Sequence, residues 1–572
     1  MPNRINDHPG TILPINLDNG GRQAEGFCTP REDTLPQTML IPPKRVLPII
    51  FLPGIMGSNL RMSAERQRRL GKSNNIAWRP ESSITSGILG LAPPATRQLQ
   101  LDPETTEVDI YDPLHNPTGD PNETADQRHD NIKVSIDTPY LADDPATQQT
   151  NRRTKEQKAR ERGWGEVYFD SYRHLLEMCE LRLNAAFSFG AKTMDPWWKN
   201  IVGVAPKTWQ ANPQPPLAPL EEGQLRQAVK GCFFPVHAMG YNWLQSNAIS
   251  AKLIAKRITA LMEKYQSQGY QCEKVIIVTH SMGGLVGRAL IHPQMGNLQD
   301  KVLGIVHGVM PATGAGAAYK RMRCGFEDSI LNIAAKVTGN TGPDVTAVLG
   351  NAQGGLELLP SQAYGNSWLQ LRHKGRVLKS LPQNGDPYEE IYKLRGKWYG
   401  LLREEWLNPE FNDEAGFPKT ARLLDQAKAF HNAIESTYHS LSYAHYGADP
   451  GHAAWHNVVW ELEAWARVSD FEKLRIHSDS LQGVVRVVDP SAPPHPGATP
   501  PGVLATLLPP CEPGDQTVPL HSADHQLLSG KFKGVFRQTG YEHQDSYKDE
   551  QALHSTLYSL VRIAQTMTWS KP

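Results

Sequence analysis

Neither sign of charge is in excess along this chain of 572 residues: Lys and Arg number 59, and so do Asp and Glu. That balance removes any global electrostatic case for nucleic acid or an anionic membrane surface as a partner. Cysteine is scarce, with six scattered residues (Cys28, Cys179, Cys232, Cys272, Cys324, Cys511) and no C-x-x-C pair. The spacing argues against a zinc site or a disulfide scaffold, and isolated thiols in a reducing compartment are the simplest account. The opening segment, MPNRINDHPGTILPINLDNGG, has no apolar run of the kind a secretory signal needs. No stretch reaches the ~18 apolar residues that span a bilayer. The expectation is a protein made soluble in the cytoplasm, which another machine must carry if it acts elsewhere. The acids of LDPETTEVDIYDPLHNPTGDPNETADQRHDN do not follow the Asp-x-Asp-x-Asp-Gly spacing of a calcium loop. No metal and no cofactor is therefore expected, and no internal repeat is visible.

What the chain does have is Lys274–Leu290, KVIIVTHSMGGLVGRAL. A β-favouring apolar run enters Thr279-His280-Ser281-Met282-Gly283, and a helix-compatible segment leaves it. This is the strand–turn–helix context of a nucleophile elbow, where a serine on a sharp, strained turn projects its hydroxyl into a cleft. The usual pattern is G-x-S-x-G, and here Thr279 stands in place of the first glycine. Read as structure alone, a serine before two glycines is a helix cap. The apolar strand before it and Leu285, Val286, Ala289 and Leu290 after it favour the elbow.

Around the elbow the pattern is that of a parallel α/β sheet. Val46–Leu52 and Gly231–Ala238 read as strands, Asn247–Glu263 as an amphipathic helix with Ile254, Ile258 and Leu261 on one face, and Val302–His307 as a further strand. Residues 1–43 read as an irregular N-terminal arm. The core is assigned to 44–60, 231–314 and 481–572, the last part including strands at Gly483–Val488 and Leu504–Leu508 and a final helix near Asp549–Met567. Residues 61–230 form a first insertion with a helix near Tyr168–Leu183. Residues 315–480 form a second, mostly helical insertion, expected as a cap. The cap is rich in tryptophan (Trp368, Trp398, Trp406, Trp455, Trp460, Trp465). Such rings suit a lipid boundary and, equally, packing within a cap.

A serine hydroxyl needs a base to become a nucleophile, and the base needs an orienting acid. In a fold with this elbow the chain order is Ser, then acid, then His, on loops after later strands. Asp515, in the tight loop Pro513-Gly514-Asp515-Gln516-Thr517-Val518-Pro519, is the best acid, with Asp489 as runner-up. His543, in Gly540-Tyr541-Glu542-His543-Gln544-Asp545, is the best base. His521 and His525 follow the acid too closely, His554 falls within the last helix, and His495 is a further C-terminal histidine. Backbone N–H groups of Met282 and Ile55 are the candidate oxyanion donors.

PIIFLPGIMGSNL, GYNWLQSNAISAKLI, THSMGG and GDQTVPLHSA together resemble the lecithin–cholesterol acyltransferase and PGAP1-like branch of the α/β-hydrolases. GGLELLPSQAYGNSWL and GYEHQDSYKD further resemble bacterial PGAP1-like lipases, including type VI secretion lipase effectors. These motifs total 70 residues, about an eighth of the chain. The resemblance implies an α/β-hydrolase fold with a mainly parallel central sheet and two large insertions. It also implies a Pro-Gly-x-x-Gly-Ser oxyanion loop and a Gly-Asp-x-Thr-Val-Pro acid motif. The activity implied is a serine esterase, most specifically a phospholipase A acting on glycerophospholipid as an antibacterial effector. Its partners would be lipid or membrane substrate, a cognate immunity protein and a secretion-apparatus component. Delivery to a target-cell periplasm would follow. Acyl transfer to an alcohol, a housekeeping cytoplasmic lipase and an inactive binding module are the alternatives. Two departures from the family pattern are Thr279 and the segment GIVHGVMPATGAG, which carries His307.

Overall fold

The computed structural model describes residues 43–81, 92–112, 154–187, 193–212, 216–326, 339–410, 416–463, 470–491 and 502–570. It also describes shorter pieces within 90–141 and three short strands near the N terminus. Cys28, Trp465, His495 and much of the Asp-rich region lie outside the described residues. No described helix is long and apolar enough to cross a membrane.

Six strands form the central sheet: β1 (Ile49–Leu52), β2 (Val236–Ala238), β3 (Val275–His280), β4 (Val302–Gly308), β5 (Ser442–Gly447) and β6 (Phe532–Gln538). Their order is β2-β1-β3-β4-β5-β6, and every pairing is parallel. A parallel sheet needs cover on both faces, so β1 to β5 are buried along their whole length rather than alternating. Ile50, Leu52, Ile277 and Ile305 join one core; Ile49, Phe51, Ile276, Val278 and Val306 join another. The period of two thus sends neighbouring residues of one strand into different layers.

Helices close both layers. α1 (Phe169–Asn184) and α4 (Glu550–Ala564) bury Leu175, Leu176, Leu557 and Leu560 on one side. α2 (Asn247–Ser267) and α3 (Gly283–Ile291) bury Ile254, Ile258, Leu285 and Val286 on the other. Each such aliphatic side chain contributes about 1.5–3 kcal/mol on burial. Along α2, Met262 is fully buried and Leu261 is half-buried, so the inward stripe runs one position later than the periodicity suggests.

Several expectations are corrected. Val46–Leu52 is two strands, Arg45–Val46 and β1, on either side of Pro48. Gly231–Ala238 is likewise two, Cys232–Phe233 and β2, on either side of Pro235. Proline has no N–H for a ladder, so each run breaks where one occurs. The irregular arm expected at 1–43 contains the antiparallel strands Ile15–Asp18, Gly21–Gly26 and Gln37–Ile41. Asp18 pairs with Gly21 in the first of these pairings.

The largest correction concerns the second insertion. β5 lies inside 315–480 yet is a central strand. Its sequence, SYAHYG, has no aliphatic run, so it lacks the usual mark of a buried strand. Conversely, Val484–Val488 and Val503–Leu507, expected in the core, belong to a second six-stranded sheet. That sheet includes Leu369–His373, Arg376–Leu381, Val458–Leu462 and Arg475–Asp479, and it is antiparallel apart from one pairing. The cap therefore combines this sheet with helices such as Gly316–Cys324, Gly342–Leu349 and Phe417–Ile434. Its tryptophans pack within it: Trp398 meets Trp460 edge-on at 5.9 Å, and buried Arg323 lies over Trp406 and Trp460 while paired with Asp479 at 3.0 Å.

Candidate active site

Because all six central strands run the same way, the chain leaves each of them at one edge of the sheet, and residues far apart in sequence meet there. β3 ends in the elbow. Ser281 has φ of +52°, a left-handed conformation that costs a non-glycine residue about 1–3 kcal/mol. Its N–H donates to Gly308 O at 2.9 Å, which holds the turn against the end of β4. Gly283 is obligatory for close approach: a Cβ there would lie 2.4 Å from Leu52 O.

The two departures from the family pattern turn out to be neighbours. Thr279 and His307 are register partners on β3 and β4, and Thr279 Oγ1 lies 3.3 Å from His307 Nδ1. Across from Thr279 stands Gly287 on α3, where an added Cβ would come within 3.2 Å of Thr279 Cγ2. The glycine missing from the strand side of the elbow is supplied on the helix side. His307 is buried beneath the turn, and burial pushes its pKa down to about 3, so it is a neutral packing group outside the cleft.

Ser281, His543 and Asp515 come together. His543 Nε2 lies 2.8 Å from Ser281 Oγ, and His543 Nδ1 lies 2.8 Å from Asp515 Oδ2. Asp515 is only 1% exposed, so its charge must be met by protein. Its Oδ1 accepts from Thr517 N–H at 3.1 Å and Val518 N–H at 2.7 Å, while Oδ2 faces the imidazole. The His543 N–H also donates to Asp515 O at 2.9 Å, so the two loops are pinned by backbone as well as side chain. A carboxylate can only accept, which places the proton on Nδ1 of a neutral His543. Nε2 is then free to accept from the serine hydroxyl.

The other candidates lie elsewhere. Asp489 is exposed and accepts from Ser491 N–H and Oγ–H, the local turn such residues favour. His554 packs between Trp197 and Trp209, His521 stacks on His456 at 4.0 Å, and His525 meets Tyr438 Oη at 3.0 Å.

Ile55 and Met282 flank Ser281 from the loop after β1 and from the start of α3. Neither backbone N–H is used in a hydrogen bond among the described residues. Both are thus available to a developing negative charge.

Ser281 opens into a cleft of about 590 Å³. Its apolar lining includes Ile55, Met56 and Trp78 on one side and Met322, Leu349 and Leu358 from the second insertion on the other. Arg321 and Glu542 also line it. Of the cap aromatics, Phe326 reaches the cleft, whereas Trp368, Trp398, Trp406, Trp455 and Trp460 do not line it. Trp78 and Tyr168 of the first insertion, which the sequence did not single out, do. No cluster of three or more His, Cys, Asp or Glu side chains placed to hold a metal occurs among the described residues.

The sequence also gave no hint of Tyr172, on α1. Its hydroxyl accepts from Gly54 N–H at 3.2 Å and lies 3.2 Å from His280 Nδ1. His280 Nε2 lies 2.9 Å from His543 O.

Residues 238–348 match the family model described as the PGAP1-like alpha/beta domain. No curated protein matches the chain. A chain in the solved structure entitled "The crystal structure of Tle4-Tli4 complex" is 32% identical, with a TM-score of 0.73, over 92% of this chain and 99% of that one. With that identity sustained over nearly the whole of both chains, the protein belongs to the PGAP1-like family of α/β-hydrolase lipases and is an esterase-type hydrolase.

Proposed function

We propose that the protein is a serine phospholipase A that hydrolyses acyl esters of glycerophospholipid. The observation that carries the reading is the Ser281–His543–Asp515 series, with 2.8 Å at each step, opening into a largely apolar cleft. His543 Nε2 takes the Ser281 proton as Oγ attacks the ester carbonyl. The carbonyl oxygen becomes an oxyanion facing the N–H groups of Ile55 and Met282. Collapse expels the lysolipid alkoxide, which leaves with the proton from His543. Water then attacks the acyl-enzyme, giving its proton to His543, and the fatty acid is released as Ser281 regains its hydrogen. Asp515 holds the tautomer and stabilises the imidazolium. The cleft volume falls within the range of sites that enclose most of a small ligand, and its aliphatic lining suits an acyl chain. The test is hydrolysis of defined phospholipids in mixed micelles and in vesicles. Release of fatty acid that Ser281→Ala abolishes supports the reading; release undiminished in folded Ser281→Ala removes it.

The biological setting we infer is an antibacterial effector with a cognate immunity protein, supported by likeness to a chain of the Tle4–Tli4 complex. Expression with a periplasmic signal should then be toxic and cytoplasmic expression tolerated. Equal growth with wild type and Ser281→Ala in the periplasm would remove the effector reading and leave the esterase reading intact.

A further inference from the structure

We propose that Tyr172 and His280 are positioning residues that tie the oxyanion loop to the loop carrying the general base. They would do so through one directed chain of hydrogen bonds. The inference rests on the serine-esterase reading of the site.

The direction of the chain follows from its ends. The His543 carbonyl can only accept, so His280 Nε2, 2.9 Å away, carries a proton and donates. His280 is 1% exposed, and burial together with the neighbouring His543 pushes its pKa down to about 3, so the ring is neutral and Nδ1 has no hydrogen. The Tyr172 hydroxyl, 3.2 Å away, must therefore donate to Nδ1. Its oxygen in turn accepts from Gly54 N–H at 3.2 Å. Gly54 N–H → Tyr172 Oη–H → His280 Nδ1, then His280 Nε2–H → His543 O, is the only assignment of hydrogens that satisfies all three contacts.

Each end touches the site. Gly54 immediately precedes Ile55, the proposed oxyanion donor, which lines the cleft beside Ser281. His543 is the base, and the contact fixes its backbone, which its side chain cannot do alone. His280 precedes Ser281 on the strained turn, so the middle of the chain is anchored at the nucleophile. Tyr172 comes from the first insertion, at the start of α1, and its ring sits 4.7 Å from Phe51 on β1. That packing survives removal of the hydroxyl. A small shift of an oxyanion donor or of the base is expensive to catalysis, because each acts only in its aligned geometry.

The experiment compares Tyr172→Phe, His280→Phe, His280→Gln and the Tyr172→Phe/His280→Phe double variant on a water-soluble short-chain nitrophenyl ester. Ser281→Ala run alongside reports separately on the serine reading: if it stays active, that reading fails whatever the other variants do. With Ser281→Ala inactive, Tyr172→Phe and His280→Phe should each lower kcat about tenfold, the effect of one hydrogen bond. KM should stay within about twofold, since the substrate touches neither group. His280→Gln, which offers an acceptor and a donor on one side chain, should recover most of kcat. The double variant should be little worse than the poorer single, because one chain is cut in either case. Unchanged kcat in both single variants, or a double variant equal to the product of the singles, overturns the proposal. If His280→Phe fails to fold, Tyr172→Phe alone decides: a kcat loss at constant KM supports the tie, and wild-type kcat overturns it.

Discussion

The protein contains two six-stranded sheets, and they are built on opposite plans. The central sheet is wholly parallel, and β1, β3, β4 and β5 are buried at every residue. The cap sheet is antiparallel in all but one pairing, and its strand Val484–Val488 alternates: Val485 and Val487 are buried while Val484 is exposed. Parallel strands deliver their C-terminal ends to one edge, so the central sheet brings Ser281, after β3, against His543, after β6 and 262 residues away, while Asp515 reaches them on the short strand Glu512–Gly514 that pairs with Asp449–Ala454 just beyond β5. Antiparallel strands send alternate loops to opposite edges, and no strand of the cap sheet carries Ser281, His543 or Asp515. Its part is to hold the helices Gly316–Cys324 and Gly342–Leu349, which carry Met322 and Leu349 over the cleft. Under the proposed function, this is a division of labour between chemistry on one sheet and chain accommodation under the other.

That contrast can be broken at the chemistry first. Ser281→Ala should lose on the order of a million-fold in kcat while melting as the wild type does, as expected when a triad nucleophile is removed. Melting curves with fatty-acid release on the same preparation provide the check, and retained turnover would undo the division.

Asp515→Asn should cost on the order of ten-thousand-fold, because the amide misdirects the His543 tautomer. Asp489→Asn, at the end of a cap strand and exposed, should leave kcat within about twofold of wild type. Steady-state rates for the pair answer this, and the reverse outcome would place the acid on the cap sheet.

Accommodation is sharpened by Met322→Trp. Filling the cleft should reduce hydrolysis of a long-chain ester relative to a short-chain one by tenfold or more, roughly 1–3 kcal/mol of differential binding. Val484→Thr, on the outer side of the cap sheet, should leave that ratio where it was. A chain-length series of esters makes the measurement.

The smallest expected effect is on acid stability. His280, His307 and His445 are buried at the active edge of the central sheet, and burial pushes each down to about 3; cap-side His431 lies at about 4. Their folded-state pKa values lie below the ordinary 6.5, so the unfolded chain takes up protons first on acidification. Stability from these neutral rings is complete above about pH 6.5 and is lost as pH falls from there towards 3. Each should contribute a loss of roughly 1 kcal/mol at pH 5.5. Urea unfolding at pH 7.5 and 5.5 should show the slope, and His307→Gln should reduce it by about one proton.

Much of the site was legible because the elbow is a local event. The apolar run Val275–Val278, the serine and the two glycines are contiguous, and strand, strained turn and helix follow from neighbours in sequence. The loops bearing Asp515 and His543 were legible for the same reason, through Gly, Pro and Asp residues that prefer tight turns. The cap was harder. Its tryptophans suited a lipid boundary and packing within the cap equally, because composition does not say which way a ring faces; Trp398 meets Trp460, and Trp368 meets Tyr319 and Tyr364.

By itself, then, the sequence determined the α/β class and the strand–turn–helix that carries Ser281, and it pointed to the turns that bear Asp515 and His543, since these depend on short-range periodicity and turn chemistry. Only the tertiary structure decided that SYAHYG is a central strand while GVVRVV belongs to the cap. A buried strand is chosen by its neighbours' hydrogen bonds and packing as much as by its own side chains. Tertiary structure alone also set Gly287 against Thr279 and brought Tyr172 from a distant insertion to Gly54 and His280. Close approach and hydrogen-bond direction are properties of pairs, and no single segment carries them.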